Sequence, residues 1–259
     1  MEMDAFMNNI KMIVTDLDGT LLRDDKTISE RTLSTLKKCR KKGIKVVYAT
    51  GRGISAEKLV PSELFDGYVR MNGATAFLSG CEIPVHSRLL PISEVRDLLI
   101  EADKLGIKIA AEVTGMNYSN FDITEHWPWI ESNEAADFTT LDIEIEKIFA
   151  IADTSMLELF KTKTPKNTHL HISRDNFVMI MHEEARKSNA VAALVNHFGL
   201  NSSEIAAFGD DSNDIDLLKY VGVGIAMGNA IDEVKAVADC MCDSNENDGL
   251  AKWLEKNVL

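Results

Sequence analysis

Two aspartates separated by a single residue follow a short apolar run at residues 12–14. Asp16 and Asp18 project from the same side of an extended chain, and Gly19 after them permits a sharp turn. Two carboxylates so close together repel each other unless a cation lies between them. Open α/β sheets bind ligands at the carboxyl ends of their strands. If the run is a strand of a parallel sheet, the pair lies where chemistry is expected.

A second acidic cluster follows another apolar run, the predicted strand Ile205–Phe208. It begins at Asp210 and continues to Asp214. In a parallel sheet, Asp210 lies on the same edge as Asp16 and Asp18. Three converging carboxylates favour a hard divalent cation, and Mg²⁺ with oxygen ligands fits best. A solvated turn with a helix cap explains either cluster alone, but the occurrence of both clusters at strand ends favours the metal site.

Strand and helix patterns alternate in the first and last parts of the chain, which predicts parallel βαβ units. These patterns are the strands Met12–Thr15 and Ile44–Ala49 with a helix between them capped by Thr27 or Ser29, a helix at 189–198, the strands Ile205–Phe208 and Val223–Ala226 around a helix at 213–220, and a last helix from Gly249. The middle differs: a hairpin (75–78 with 83–86), a helix at 93–105 and several later strands are typical of α+β structure.

The predicted fold class is therefore α/β. It consists of a Rossmann-like, doubly wound parallel-sheet core, residues 1–83 and 184–259, with an α+β domain inserted at residues 84–183. Within the insert, Trp127 and its aromatic neighbours could line a substrate, although packing is the commoner role.

Composition restricts the function. The chain has 259 residues and a net charge of −13, which argues against nucleic acid or an anionic membrane as partner. No apolar stretch is long enough for a membrane span, and the acidic start lacks a signal core, so a cytoplasmic protein is expected. The spacing of the four cysteines fits neither a zinc site nor a disulfide framework, so reduced thiols are expected. The cysteines are Cys39, Cys81, Cys240 and Cys242.

Two rival motifs fail on their spacing. A Ca²⁺ loop starting at Asp210 would need glycine where Ile215 stands and glutamate where Val221 stands. Glycines at 222, 224 and 228 resemble a dinucleotide-binding loop, but they lie within and just after a predicted strand instead of before a helix.

Four motifs, in order along the chain, resemble those of the haloacid dehalogenase-like phosphatases, and specifically the Cof-type subfamily with a large inserted cap. Asn72-Gly73-Ala74 is also typical of that subfamily. The four motifs are Asp16-Leu17-Asp18-Gly19-Thr20, Ala49-Thr50-Gly51-Arg52, Lys187, and Gly209-Asp210 with Asn213-Asp214. The chain departs from the family pattern at Ser188, where glycine is usual; Lys163, Lys166 and Arg186 are alternatives to Lys187.

The resemblance implies a role for each motif. Asp16 is expected to attack phosphorus and form an aspartyl-phosphate, and Asp18 to act as general acid and base. The expected metal ligands are Asp16, the backbone carbonyl of Asp18 and Asp210, with Mg²⁺ as cofactor. The residues expected to hold the phosphate are Thr50, Gly51, Lys187 and Asn213. Asp214 is expected to brace this arrangement, and Arg52 to lie between core and cap.

The leading hypothesis is thus a Mg²⁺-dependent phosphatase acting on a small phosphorylated metabolite, either a sugar phosphate or a phosphorylated cofactor. The inserted cap would exclude water and select the substrate. One alternative is a phosphotransferase or mutase that passes the phosphoryl group to a second substrate. Another is a non-catalytic, metal-dependent binding protein. A monomer and a homodimer both remain open.

Overall fold

A computed structural model describes residues 9–127, 130, 132–172 and 177–259. The chain divides into two compact units. The first combines the part of the chain up to Ser87 with Arg186–Leu259, and the second is Arg88–Ala185. The domain boundaries predicted from the sequence, after residues 83 and 183, fall a few residues before these divisions.

The first unit is built on an eight-stranded sheet. Its strands are β1 (Met12–Thr15), β2 (Lys45–Ala49), β3 (Gly67–Arg70), β4 (Thr75–Leu78), β5 (His86–Ser87), β14 (Ile205–Gly209), β15 (Val223–Ala226) and β16 (Cys240–Met241). Its helices are α1 (Glu30–Lys41), α4 (Lys187–His197), α5 (Ile215–Tyr220), α6 (Asp232–Lys235) and α7 (Gly249–Asn257). The strand order is β16-β15-β14-β1-β2-β3-β4-β5; the pairs from β16 to β3 are parallel, and the β3–β4 and β4–β5 pairs are antiparallel.

Local sequence explains the centre of this sheet. Every residue of β1 and β14 is buried, as expected for parallel strands covered on both faces. Ser29 caps α1, because its hydroxyl oxygen accepts the Thr32 N–H at 3.0 Å. Helix α1 packs against α7, and α4 packs against α5. The predicted Rossmann-like α/β core is confirmed.

The second unit is α+β. Its elements are β6 (Leu90–Pro91), α2 (Ile92–Lys104), β7 (Lys108–Val113), β8 (Met116–Ser119), β9 (Asn133–Ala135), β10 (Glu144–Ile145), β11 (Lys147–Ile151), α3 (Leu157–Lys163), β12 (Thr168–Ile172) and β13 (Phe177–His182). A six-stranded sheet has the order β12-β13-β11-β7-β8-β9 and is antiparallel except for the β8–β9 pair. No helix in the described part of the chain is long and apolar enough to cross a bilayer.

Trp127 packs in a small aromatic cluster of the second unit. Its ring meets those of Phe149 and Phe177 edge-on, with ring centroids 5.5 and 5.7 Å apart. The packing role predicted for this tryptophan is therefore observed. Its neighbours Pro128 and Trp129 lie outside the described residues.

The sequence prediction differs from the structure near β3 and β5. Strand β3 was not predicted, because its four residues begin with glycine and end with arginine; in the sheet it pairs with β2 and β4. The hairpin strand predicted at 83–86 is wrong in extent, since the strand consists of His86 and Ser87, preceded by one hydrogen bond from the Val85 N–H to the Ala76 carbonyl at 2.8 Å. Pro84 has no N–H to donate to a ladder, which agrees with the late start of this strand.

Candidate active site

The predicted site residues follow adjacent parallel strands of the first unit. Asp210 follows β14, Asp16 follows β1 and Thr50 follows β2, and these three strands are neighbours in the order β14-β1-β2. The Asp16 N–H donates to the Phe208 carbonyl at 3.1 Å, so the ladder continues to the first aspartate. The sheet therefore brings together residues that lie far apart in the sequence.

Three carboxylates and one ammonium group form the centre of the site. Asp16, Asp210 and Asp214 each offer an oxygen, and these oxygens lie within 4.8 Å of one another. Lys187 Nζ donates to Asp16 Oδ1 at 2.5 Å and to Asp214 Oδ1 at 2.6 Å. Lys187 is only 1% exposed and Asp214 is fully buried. A buried ammonium group between two carboxylates is a fixed positive charge, not a mobile surface lysine.

The site keeps an excess of negative charge, because one lysine faces three carboxylates. Burial raises the pKa of Asp16 to about 8, and the charges of Asp214 and Asp210 add to the rise that Lys187 opposes. Burial likewise raises the pKa of Asp210 to about 6 against the hydrogen bond from Thr20. Burial would lower the pKa of Lys187, but Asp16 and Asp214 outweigh it and raise that pKa. Without a further cation, these carboxylates are held in an unfavourable environment.

The donor set fits a hard divalent cation. All three candidate ligands are carboxylate oxygens, with no sulfur or imidazole among them, and this chemistry suits Mg²⁺ better than Zn²⁺. The third carboxylate beside Asp16 and Asp210 is Asp214, whereas the side chain of Asp18 lies elsewhere. The ligand predicted from Asp18 is its backbone carbonyl, which stays a prediction.

Asp18 forms ion pairs with two cations. Its carboxylate accepts two hydrogen bonds from Arg52, one of them from Nη2 at 2.7 Å, and one from Lys26 Nζ at 2.7 Å. Burial favours the neutral acid, but the hydrogen bonds from Arg52 and Lys26 outweigh it, so the pKa of Asp18 is lowered. Asp18 is therefore ionised here, whereas Asp16 is in the environment that favours a proton. Arg52, predicted to lie between core and cap, binds Asp18.

The Asp210 carboxylate is fixed by the loop after β1. Thr20 donates its hydroxyl to Asp210 Oδ1 at 2.7 Å. Gly19 has φ +77°, and a Cβ there would lie 2.3 Å from Asp210 Oδ2. Glycine is required at residue 19 because the backbone has a positive φ and because a side chain would overlap the Asp210 carboxylate. The Asp-x-Asp-Gly-Thr sequence thus positions the carboxylate of Asp210, which lies 190 residues after Thr20 in the sequence.

Besides Lys187 at the start of α4, the predicted phosphate-binding residues are Thr50 and Gly51 after β2 and Asn213 after β14. Thr50 is 1% exposed, and its oxygen accepts the Arg52 N–H at 3.1 Å, which leaves the hydroxyl proton to donate. Asn213 Nδ2 donates to Asn72 Oδ1 at 2.9 Å. Asn72 and Asn213 are therefore linked, so Asn72 has a larger part in the site than a family motif alone implies.

Sequence reasoning assigned Asp214 only a bracing role. It does brace, because its Oδ2 accepts the N–H groups of Asp210 and Asp211 at 3.0 and 3.3 Å. Its Oδ1 binds Lys187, and its oxygens belong to the carboxylate cluster. The spacing of four residues between Asp210 and Asp214, which places both carboxylates around one turn, is the sequence feature that could have predicted this second role.

Ser188, which replaces the usual glycine, links the start of α4 to α5. Its hydroxyl donates to Asp216 Oδ2 on α5 at 2.6 Å. Of the alternatives to Lys187, Lys163 pairs with Glu101 in the second unit at 3.3 Å. The serine is thus compatible with a lysine that is well placed at the carboxylates.

We expect Ser188→Gly to reduce stability without abolishing activity. The variant loses one hydrogen bond and gains backbone freedom in a helix, at a total cost of about 1–2 kcal/mol. Urea unfolding should show the loss, while kcat/KM changes little. A large fall in kcat at unchanged stability would contradict this account and would make Ser188 a direct part of the site.

A comparison with protein families matches residues 13–254 to the haloacid dehalogenase-like hydrolases. A candidate phosphatase of Haemophilus influenzae is 32% identical, with 95% of this chain and 97% of the relative covered. The 5-amino-6-(5-phospho-D-ribitylamino)uracil phosphatase YcsE of Bacillus subtilis is 30% identical, with 97% of each chain covered. A solved haloalkanoate-superfamily phosphatase from Bacteroides thetaiotaomicron has a TM-score of 0.81 and 26% identity, with 96% of this chain and 95% of that chain covered.

The chain belongs to the haloacid dehalogenase-like hydrolases, and the resemblance to their Cof-type members is confirmed. Within that family it is a phosphatase, as are the relatives just described. Metal dependence is general in this superfamily, and the acidic cluster of this chain agrees with it.

Proposed function

We propose that the protein hydrolyses small phosphomonoesters with Mg²⁺ as cofactor, through an aspartyl-phosphate on Asp16. The observation that carries the proposal is the cluster of buried Asp16 and Asp214 with half-buried Asp210, in which Lys187 lies between Asp16 and Asp214. This arrangement combines a nucleophile, a cation site and a fixed positive charge at one sheet edge. Each of the three serves phosphoryl transfer.

Asp16 is the nucleophile in this proposal. One of its oxygens attacks phosphorus as the bond from phosphorus to the leaving oxygen breaks, and the phosphoryl group becomes bound to the carboxylate. Asp16 lies at the end of a fully buried strand, so its position is fixed by the sheet. Mg²⁺, held by Asp16, Asp210 and the backbone carbonyl of Asp18 with Asp214 beside them, would neutralise the negative charges of carboxylate and phosphate.

Asp18 carries the protons. It gives a proton to the leaving oxygen and then takes one from the water that attacks the phosphorus of the aspartyl-phosphate, which returns the enzyme to its starting state. The ion pairs with Arg52 and Lys26 favour the ionised form, which is the form needed as base. The acid role requires these contacts to loosen when substrate binds, so that Asp18 takes up a proton from solvent before it donates one to the leaving oxygen. Exposure of 37% for the Asp18 side chain leaves it accessible to a substrate.

The phosphate would be held from two sides. Thr50 donates its hydroxyl, and the N–H of Gly51 can approach closely because no side chain intervenes. Lys187 supplies a charge-assisted contact, and Asn213 approaches from the turn before α5. We assign the second unit the role of the cap that selects the substrate, as predicted for residues 84–183.

The substrate class is inferred from chemistry and relatives. YcsE and YitU of Bacillus subtilis are named for a substrate with a phosphate on a ribityl chain. For this chain we propose a sugar phosphate, polyol phosphate or phosphorylated cofactor with the phosphate on a small carbon skeleton.

The four cysteines are free, which fits the expected cytoplasmic location.

The experiment is a screen of phosphorylated metabolites and a generic aryl phosphate, with Mg²⁺, run beside Asp16→Asn. Phosphate release from one group of compounds by the wild type alone is the expected result. Failure to hydrolyse any compound, the aryl phosphate included, would refute the proposed function.

We expect Mg²⁺ to raise the unfolding temperature, and to do so more strongly as pH rises. At a hundredfold excess over Kd the stabilisation is about 2.7 kcal/mol. The pKa values of Asp210 and Asp16, about 6 and about 8, mean that below these values the metal must displace protons. The Mg²⁺-induced shift should therefore grow from pH 6 to pH 8, which a thermal melt at several pH values measures.

Asp210→Asn and Asp211→Asn form a matched pair for this measurement. Asp210 belongs to the carboxylate cluster, whereas Asp211 is exposed and outside it. The first substitution should remove most of the Mg²⁺ response and the second should keep it. If Mg²⁺ raises the unfolding temperature of both variants equally, Asp210 is not a metal ligand.

A further inference from the structure

The turn at residues 71–73 has an unusual backbone. Met71, Asn72 and Gly73 have φ values of +49°, +51° and +106°. Positive φ is uncommon outside glycine and is retained when the surrounding structure enforces it. Here the Met71 N–H donates to the Arg52 carbonyl at 3.0 Å and the Asn72 N–H donates to the Thr50 carbonyl at 2.9 Å. The turn is thus attached to the backbone of the loop after β2.

The Asn72 side chain occupies the space that any side chain at residue 51 would need. A Cβ on Gly51 would lie 2.9 Å from Asn72 Oδ1. The same oxygen accepts the hydrogen bond from Asn213 Nδ2 at 2.9 Å. One amide group therefore lies against the Thr50–Gly51 loop and holds the side chain of Asn213, which belongs to the other half of the candidate phosphate site.

Gly73 connects the same turn to the lysine. A Cβ at Gly73 would lie 2.2 Å from the carbonyl oxygen of Arg186, the residue before Lys187. The turn and the start of α4 are therefore in direct backbone contact. Three successive residues of one turn reach the surroundings of Thr50, Asn213 and Lys187.

We propose that Asn72 is a positioning residue that sets the distance between the Thr50–Gly51 loop and Asn213, so that both meet the same phosphoryl group. This inference rests on the proposed function and extends it to a residue that has no chemical role of its own. The hydrogen bonds of Asn72 join it to the Thr50 carbonyl and to Asn213 and not to the carboxylate cluster of the described residues, so its effect is on the phosphate and not on the metal. Small errors in such spacing are costly in phosphoryl transfer.

The test uses Asn72→Gly, Asn213→Ala and the double variant. Glycine keeps the left-handed backbone at residue 72 and removes only the amide. The readouts are the affinity for inorganic phosphate, kcat/KM with an aryl phosphate, the Mg²⁺-induced thermal shift and the unfolding temperature without metal. We expect each single variant to weaken phosphate binding and kcat/KM about tenfold to a hundredfold.

A positioning role predicts that the double variant is no worse than the more impaired single variant, because both substitutions break the same link. The Mg²⁺-induced shift should stay that of the wild type. The inference is overturned by any of three results: independent, multiplying losses; a Mg²⁺ response that falls in parallel with phosphate affinity; or no loss in Asn72→Gly. Failure of the proposed function looks different, since either the wild type would then hydrolyse no compound or Asp16→Asn would keep wild-type turnover.

Discussion

Asp16→Asn is expected to reduce turnover by about 10⁴-fold or more, because the amide cannot act as nucleophile. The substitution is nearly isosteric and leaves Lys187 its second partner, Asp214, at 2.6 Å. The charge of one candidate metal ligand is lost as well, so Mg²⁺ binding should weaken. Steady-state phosphate release from an aryl phosphate measures the loss.

The matched control is Asp97→Asn, which makes the same change at an exposed carboxylate on α2. It should leave turnover at the wild-type level. Residual activity of Asp16→Asn within a few-fold of the wild type would rule out Asp16 as the nucleophile. The carboxylate cluster would then have only a metal-binding role.

Asp18→Asn is expected to keep Mg²⁺ binding and to lose most turnover, by about 10²- to 10⁴-fold. The side chain lies outside the carboxylate cluster and pairs with Arg52 and Lys26, so the metal should be unaffected. Proton donation matters most for a poor leaving group, so an alkyl phosphate should lose more than an aryl phosphate in the first step. Rapid mixing separates that step from the later hydrolysis.

A loss of the Mg²⁺-induced thermal shift in Asp18→Asn would contradict this assignment, since only the backbone carbonyl is proposed as a ligand. Arg52→Lys gives a useful comparison. It keeps a positive charge but cannot form the two hydrogen bonds that Arg52 donates to Asp18. A turnover of Arg52→Lys between those of the wild type and Asp18→Asn would show that the orientation of Asp18 matters as well as its charge.

The core fold and the principal carboxylates could be predicted because both depend on local patterns. The apolar runs at 12–14 and 205–208, each followed two residues later by an aspartate, predict buried strands, and parallel strands bring their carboxyl ends to one edge. Lys187 is different. Nothing in its local sequence distinguishes it from a surface lysine, and only the order of the family motifs pointed to it.

The remaining contacts depend on tertiary structure. The Asp18–Arg52 pair joins residues 34 positions apart, and no periodicity predicts which cation a carboxylate will meet. The link from Asn72 to Asn213 requires three consecutive left-handed residues, two of them not glycine. Neighbouring loops enforce such a backbone, so the conformational propensities of the residues do not predict it. Strand β3 was missed for a related reason, since its pairing partners compensate for a weak local pattern.

The most direct test of the central claim is to trap the phosphorylated enzyme. Wild type and Asp18→Asn are mixed with an aryl phosphate and Mg²⁺, quenched in acid within the first turnover, and digested with trypsin. The peptide of residues 12–23 contains both aspartates, so fragmentation must locate the phosphoryl group. We predict that it is on Asp16 and accumulates in Asp18→Asn, where the base for hydrolysis is missing. A first-turnover burst of the aryl product without phosphate on this peptide, or phosphate on another residue, would contradict the mechanism.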